Sequence, residues 1–170
     1  FTHPLWLLLQ LPLNALWNNV FHVSIALSIA CSLAAVCLAL FSAQRQLTIR
    51  LLLFLLPFAV SKSVMDYTTS GLETPLCYLT FAGFGYVMLR LREHRYFWFF
   101  CSLSVALSML NRLDTLLLYL PTLIWLVTTK NSTLRWRQIF LGTLPIAAWL
   151  LFSLFYYGFL FPNTKYAKLD

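Results

Sequence analysis

Between residues 23 and 41 the chain runs for 19 residues without a charged side chain, and further apolar runs, several of them shorter than a full span, recur at 49–60, 75–89, 97–110, 113–127 and 139–160. About 20 apolar residues suffice to cross the ~30 Å hydrocarbon layer of a bilayer. The first run is therefore read as a transmembrane helix, and its Ala, Leu and Ser content suits close helix packing. The shorter runs, one of them interrupted by Pro57, must borrow flanking polar residues, stand nearly upright or sit in thinned bilayer. Residues 4–17 are apolar apart from Gln10, Pro12 and Asn14, too short to span. They are read as a membrane-edge helix anchored by Trp6 and Trp17. The expected fold is all-α: a multi-pass transmembrane helical bundle of about five spans plus that N-terminal helix, with residues 1–170 forming one transmembrane domain.

Composition excludes the usual alternative. Hydrophobic residues make up 61% of the chain and charged residues 10%, whereas soluble domains carry about 25% charge. The net charge of +7 does not indicate nucleic acid, because the basic residues punctuate apolar runs and form no stripe. The cysteines Cys31, Cys37, Cys77 and Cys101 sit in apolar runs without Cys-x-x-Cys spacing, so they read as packing residues and not as a metal site or disulfide framework. No initiator Met or charged leader precedes the first run, and the expectation is a piece of a longer membrane protein.

The loops set the orientation. Arg45, Arg50, Arg90, Arg92, Arg95, Lys130, Arg135 and Arg137 share one set of connections with a single acid, Glu93. The alternate set carries Lys62, Arg112, Lys165 and Lys168 with Asp66, Glu73, Asp114 and Asp170. The positive-inside rule puts the first set in the cytoplasm and the acidic loops, near 61–75, 111–114 and 158–170, on the outer side. The sequon Asn131-Ser132-Thr133 falls in a cytoplasmic loop by this reading and carries no weight.

Three polar clusters could carry chemistry. The first, residues 61–75, holds Asp66 and Glu73; such carboxylates act as general bases or bind hydroxyls and metals. Glu73 has two readings. Ser70-Gly71-Leu72-Glu73 fits a capping box in which Glu73 only satisfies a backbone amide, while Thr74-Pro75 is itself a good helix start and would release Glu73 for function. Asp66 is either functional or simply solvated, and Gly71 between them permits a tight turn. The second cluster is Asn111-Arg112-Leu113-Asp114, where the planar fork of Arg112 suits a phosphate and a mutual Arg112–Asp114 ion pair is the bland alternative. The third, from Tyr156 to Lys168, combines aromatic rings, Asn163, Lys165, Tyr166 and Lys168. It suits a sugar phosphate or an interfacial aromatic belt with snorkelling lysines. His3 is a lone histidine before the first helix, and His22 and His94 have no ligand cluster around them.

Taken together, Thr2-His3-Pro4-Leu5-Trp6, the stretch from Asp66 to Leu76, Arg112-Leu113-Asp114 and the stretch from Tyr157 to Lys168 resemble the bacterial GT-C class of multi-pass glycosyltransferases, closest to its terminal arabinofuranosyltransferase-like branch. Ser-Gly-Leu-Glu and Pro-Asn-Thr-x-Tyr-Ala-Lys are the distinctive segments. The resemblance implies a polyprenyl-phosphate sugar as donor, transfer at the periplasmic face of the bacterial inner membrane, and a glycan, lipid or protein as acceptor. It also implies an acidic loop just upstream of Thr2 that carries the catalytic aspartate acting as base. In that frame Asp66 and Glu73 are the catalytic-site carboxylates, and His3, Arg112, Asp114, Asn163, Lys165, Tyr166 and Lys168 bind substrate. The sequence demands no cofactor, and a divalent cation between carboxylate and phosphate is compatible with it. A transporter or flippase, with charges lining a path through the spans, and a non-catalytic membrane subunit are the rival readings.

Overall fold

The computed structural model describes residues 3–43, 56, 60–129 and 134–158. All regular structure among them is helical: α1 (Pro4–Trp17), α2 (Val20–Ala43), α3 (Lys62–Thr69), α4 (Thr74–Arg90), α5 (Phe97–Asn111), a 3-10 turn (Leu113–Thr115), α6 (Leu116–Thr129) and α7 (Trp136–Tyr157). The boundaries follow the apolar runs within a few residues. The run at 49–60 lies outside the described residues apart from Leu56 and Val60. The chain divides into two compact units, one of Trp6–Phe97 and one of Phe1–Leu5 with Trp98–Asp170.

Two helices, α2 over Val20–Ser42 and α7 over Trp136–Tyr157, are long and apolar enough to cross a membrane. The others are shorter, with 17 residues in α4, 15 in α5 and 14 in α6, so two helices rather than about five reach full spanning length among the described residues. Burial along both long helices is inverted relative to a water-soluble protein. On α2 the buried positions include Ser28, Cys31, Ser32, Ala35 and Ser42, while Phe21, Ile29, Leu33, Leu40 and Phe41 are exposed. On α7 the buried residues are Gly142 and Ser153, while Phe140, Leu151 and Phe155 are exposed. Small and polar residues let helix backbones approach closely, and large apolar residues turned outward suit a hydrocarbon solvent.

In the Trp6–Phe97 unit, α1 and α2 form a hairpin. Asn18 makes the turn with a left-handed backbone (φ 51°), which asparagine tolerates better than most residues. Asn19 caps α2, its side-chain oxygen accepting the His22 amide at 3.2 Å. Helices α2 and α4 pack along each other in the same direction. Ser28 meets Leu72 at the start of α4, and the Arg90 guanidinium, in the last turn of α4, donates to the Ser42 carbonyl at 3.0 Å. Carbonyls in the last turn of a helix lack the donor one turn further on and take partners from elsewhere. Within this unit, then, the C-terminal ends of α2 and α4 coincide.

In the other unit, α5 and α6 form a hairpin around the 3-10 turn, and α7 packs on α5 at a glycine. A Cβ on Gly142 would lie 1.9 Å from Ser102 Oγ, 2.7 Å from the Phe99 carbonyl oxygen and 2.9 Å from the Leu103 amide nitrogen. Only hydrogen fits there.

Candidate functional site

Residues 61–75 fold into the short helix α3, a tight turn and the start of α4, and a line of serines on α2 holds them. Ser24, Ser28 and Ser32 recur every four residues and so share one face of the helix. Ser24 Oγ accepts Gln10 Nε2 at 2.9 Å, Ser28 Oγ donates to the Leu72 carbonyl at 3.3 Å, and Ser32 Oγ is 3.2 Å from Thr68 Oγ1. Between these contacts Gly71 turns the chain with φ +72°, and a Cβ there would sit 3.0 Å from Ser24 Cβ. Both the backbone angle and the close approach select glycine.

The same geometry decides between the two readings of Ser70-Gly71-Leu72-Glu73. Ser70 is not the N-cap of α4. It closes α3 in the right-handed helical region (φ −80°, ψ −11°), and its hydroxyl donates back to the Tyr67 carbonyl at 3.0 Å. Helix α4 begins at Thr74 with Glu73 in the capping position and Pro75 in the first turn. It therefore starts one residue earlier than Thr74 as cap would give, and the Glu73 side chain makes no capping bond. Glu73 is half-buried and Asp66, on α3, is exposed.

The second cluster is a rigid turn. Arg112 pairs with Asp114 through Nη2 to Oδ2 at 2.8 Å and Nε to Oδ1 at 3.2 Å. This bond and the nearby positive charge hold the Asp114 carboxyl below its ordinary range, against a smaller opposing effect of burial. The backbone beneath is pinned by a chain of hydroxyls running one way: Tyr119 donates to Ser108 Oγ at 3.0 Å, Ser108 to Thr115 Oγ1 at 3.0 Å, and Thr115 to the Arg112 carbonyl at 2.6 Å. Tyr119 and Ser108 are each only 1% exposed, so the first two links are shielded from competing water.

His3 joins this turn from the far end of the sequence. Its Nδ1 lies 2.7 Å from the Asn111 carbonyl oxygen; a carbonyl only accepts, so Nδ1 carries a proton. Two segments that the sequence separates by 108 residues thus meet one residue from Arg112. The serines on α2 and the Ser108–Thr115–Tyr119 chain were not among the residues singled out from sequence. Their spacing was visible, but their partners lie far along the chain or across a turn.

Asn163, Lys165, Tyr166 and Lys168 lie outside the described residues. Upstream of them, Phe152 and Tyr156 stack with ring centres 5.4 Å apart, and Tyr157 meets Tyr156 edge-on at 4.8 Å, before Gly158 ends α7 in a left-handed cap. A groove of about 590 Å³ between α1 and α2 is walled by residues such as Leu13, Val23, Leu27 and Ala30, with Asn19 and His22 also lining it, and it includes none of the expected site residues. No protein family, curated protein or solved structure matches the chain.

Proposed function

We propose that this chain belongs to an integral membrane glycosyltransferase that moves a sugar from a polyprenyl-phosphate donor to a cell-envelope acceptor on the periplasmic side of the bacterial inner membrane. The shorter helices complete a multi-pass bundle of about five spans. A carboxylate removes the proton of the acceptor hydroxyl as its oxygen attacks the anomeric carbon. The bond from that carbon to the polyprenyl phosphate breaks with inversion, and the electron pair leaves on the phosphate oxygen. Asp66 and Glu73 orient the sugar or the acceptor; Arg112, with Lys165 or Lys168, neutralises the departing phosphate; His3, Asp114, Asn163 and Tyr166 complete substrate binding.

One observation carries the reading: among the described residues, charged side chains occur at helix ends, in the turns between helices and on the eight-residue α3, and none lies in the interior of a long helix. A translocation path draws charges into the spans, whereas transfer chemistry at one face needs them in turns held by an apolar scaffold. The outward-facing apolar surfaces of α2 and α7 support the membrane placement. The carboxylate turn and the arginine turn are each held by hydrogen bonds, which supports preorganised polar sites.

Membranes carrying the full-length protein, supplied with labelled polyprenyl-phosphate pentoses and hexoses, test the proposal. Label should pass to an envelope acceptor, and Arg112→Ala should lower the rate at matched protein abundance. Failure to transfer from any donor, or full activity in Arg112→Ala, contradicts the donor assignment or the phosphate role respectively.

A further inference from the structure

The hydrogen bonds that hold the acidic turn also fix its height along α2. Measured from Ser42, where the ends of α2 and α4 coincide, Ser32 lies ten residues back and Ser28 fourteen, or about 15 Å and about 21 Å at 1.5 Å per residue. Thr68 is bonded at the first height and Leu72 at the second, while Gly71 packs on Ser24, about 27 Å from the same end. Val20–Ser42 is long and apolar enough to cross a membrane, and the hydrocarbon layer is about 30 Å thick. At the heights of Ser28 and Ser32 the exposed residues of α2 include Ile29 and Leu33. The end of α3 and the turn after it thus stand beside the middle and outer half of a spanning helix and not beyond its end.

Non-helical backbone at membrane depth persists only where protein covers it or water reaches it. One side of this turn is covered by the serines of α2. Its other side carries Asp66, Thr69 and Ser70, all exposed. A carboxylate facing hydrocarbon at that depth is strongly disfavoured. We propose that residues 66–73 form a re-entrant turn lining a water-filled recess sunk into the membrane, which admits hydrated polar or ionic groups to Asp66 below the level of the lipid headgroups. This rests on the membrane placement proposed above and is independent of the sugar chemistry.

Single cysteines at Ser70, Leu72, Leu33 and Leu40, in the full-length protein with its native cysteines replaced and reconstituted in lipid vesicles, test the recess. Spin labels at Leu33 and Leu40 should collide with oxygen and be shielded from a water-soluble nickel chelate. Ser70→Cys and Leu72→Cys should react with a charged, membrane-impermeant thiol reagent roughly tenfold or more faster than Leu33→Cys. If Leu40 is in lipid but Leu33 in water, the outer part of α2 stands clear of the bilayer and the recess is refuted while the membrane placement stands. If Leu33 is in lipid and both turn cysteines resist the charged reagent, the turn is dry and the recess is again refuted. If Leu33 and Leu40 are both in water, the membrane placement fails and the recess with it.

Discussion

Replacing Gly142 with alanine adds one methyl group where α7 crosses α5, and the structure sets its cost. The nearest obstacle, Ser102 Oγ at 1.9 Å, can rotate away, but its hydroxyl then gives up its bond to the Trp98 carbonyl at 2.8 Å. The Phe99 carbonyl and the Leu103 amide are backbone, at 2.7 and 2.9 Å, and cannot. Restoring ordinary contact of at least ~3.4 Å requires α5 and α7 to separate by roughly 0.7 Å. Overpacking of this kind costs about 1–3 kcal/mol, offset by up to ~1 kcal/mol because alanine favours the helix over glycine. The expected net loss is about 1–2 kcal/mol, a factor of roughly 5 to 30 in the folded-to-unfolded ratio. Gly83 and Gly85 on α4 have nothing within 4 Å of a built Cβ, so alanine there should be neutral or stabilising by up to ~1 kcal/mol. Reversible unfolding in mixed detergent micelles, followed by tryptophan fluorescence, measures all three variants. Equal stability of Gly142→Ala and Gly83→Ala would refute the crossing.

Gly71→Ala combines a positive φ with a 3.0 Å approach to Ser24 and should lose about 1–3 kcal/mol in the same assay. Tyr119→Phe removes the first donor of the buried hydroxyl chain and should lose about 0.5–1.5 kcal/mol; no change would mean that the chain does not hold the arginine turn. Because Arg112 depresses the Asp114 carboxyl, the pair stabilises the fold above the ordinary carboxylate pKa of about 4 and loses that contribution as pH falls through the depressed folded value. Both side chains are substantially exposed, 39% and 61%, so the contribution is below about 1 kcal/mol. An NMR titration of Asp114 should move back toward ordinary aspartate in Arg112→Gln, and an unmoved titration would place the cause elsewhere.

The apolar runs made most of the helices legible, because transfer from water to an apolar medium depends on composition over a window and not on tertiary partners. The arginines at 90–95 marked the end of α4, but that Arg90 bonds the Ser42 carbonyl at the end of α2 depended on how the two helices pack. The function of Ser70 was not legible. Its spacing to Glu73 matches a capping box, but α3 precedes it closely enough that its hydroxyl serves the helix it ends. His3 also read as isolated, since a bond to a carbonyl 108 residues away leaves no local trace. Ser24, Ser28 and Ser32 showed a helical period whose meaning depended on where Gln10, Thr68 and Leu72 came to rest.

The acidic turn packed against α2 is proposed above as a site of sugar transfer. Its most direct test is the transfer rate of Glu73→Gln against wild type, in membranes holding equal amounts of full-length protein and saturated with the donor that wild type uses. Glutamine keeps the size and position of the side chain but loses its charge, and kcat should fall about 100-fold or more. Transfer by Glu73→Gln at the wild-type rate would make the turn a structural element and contradict the proposed site.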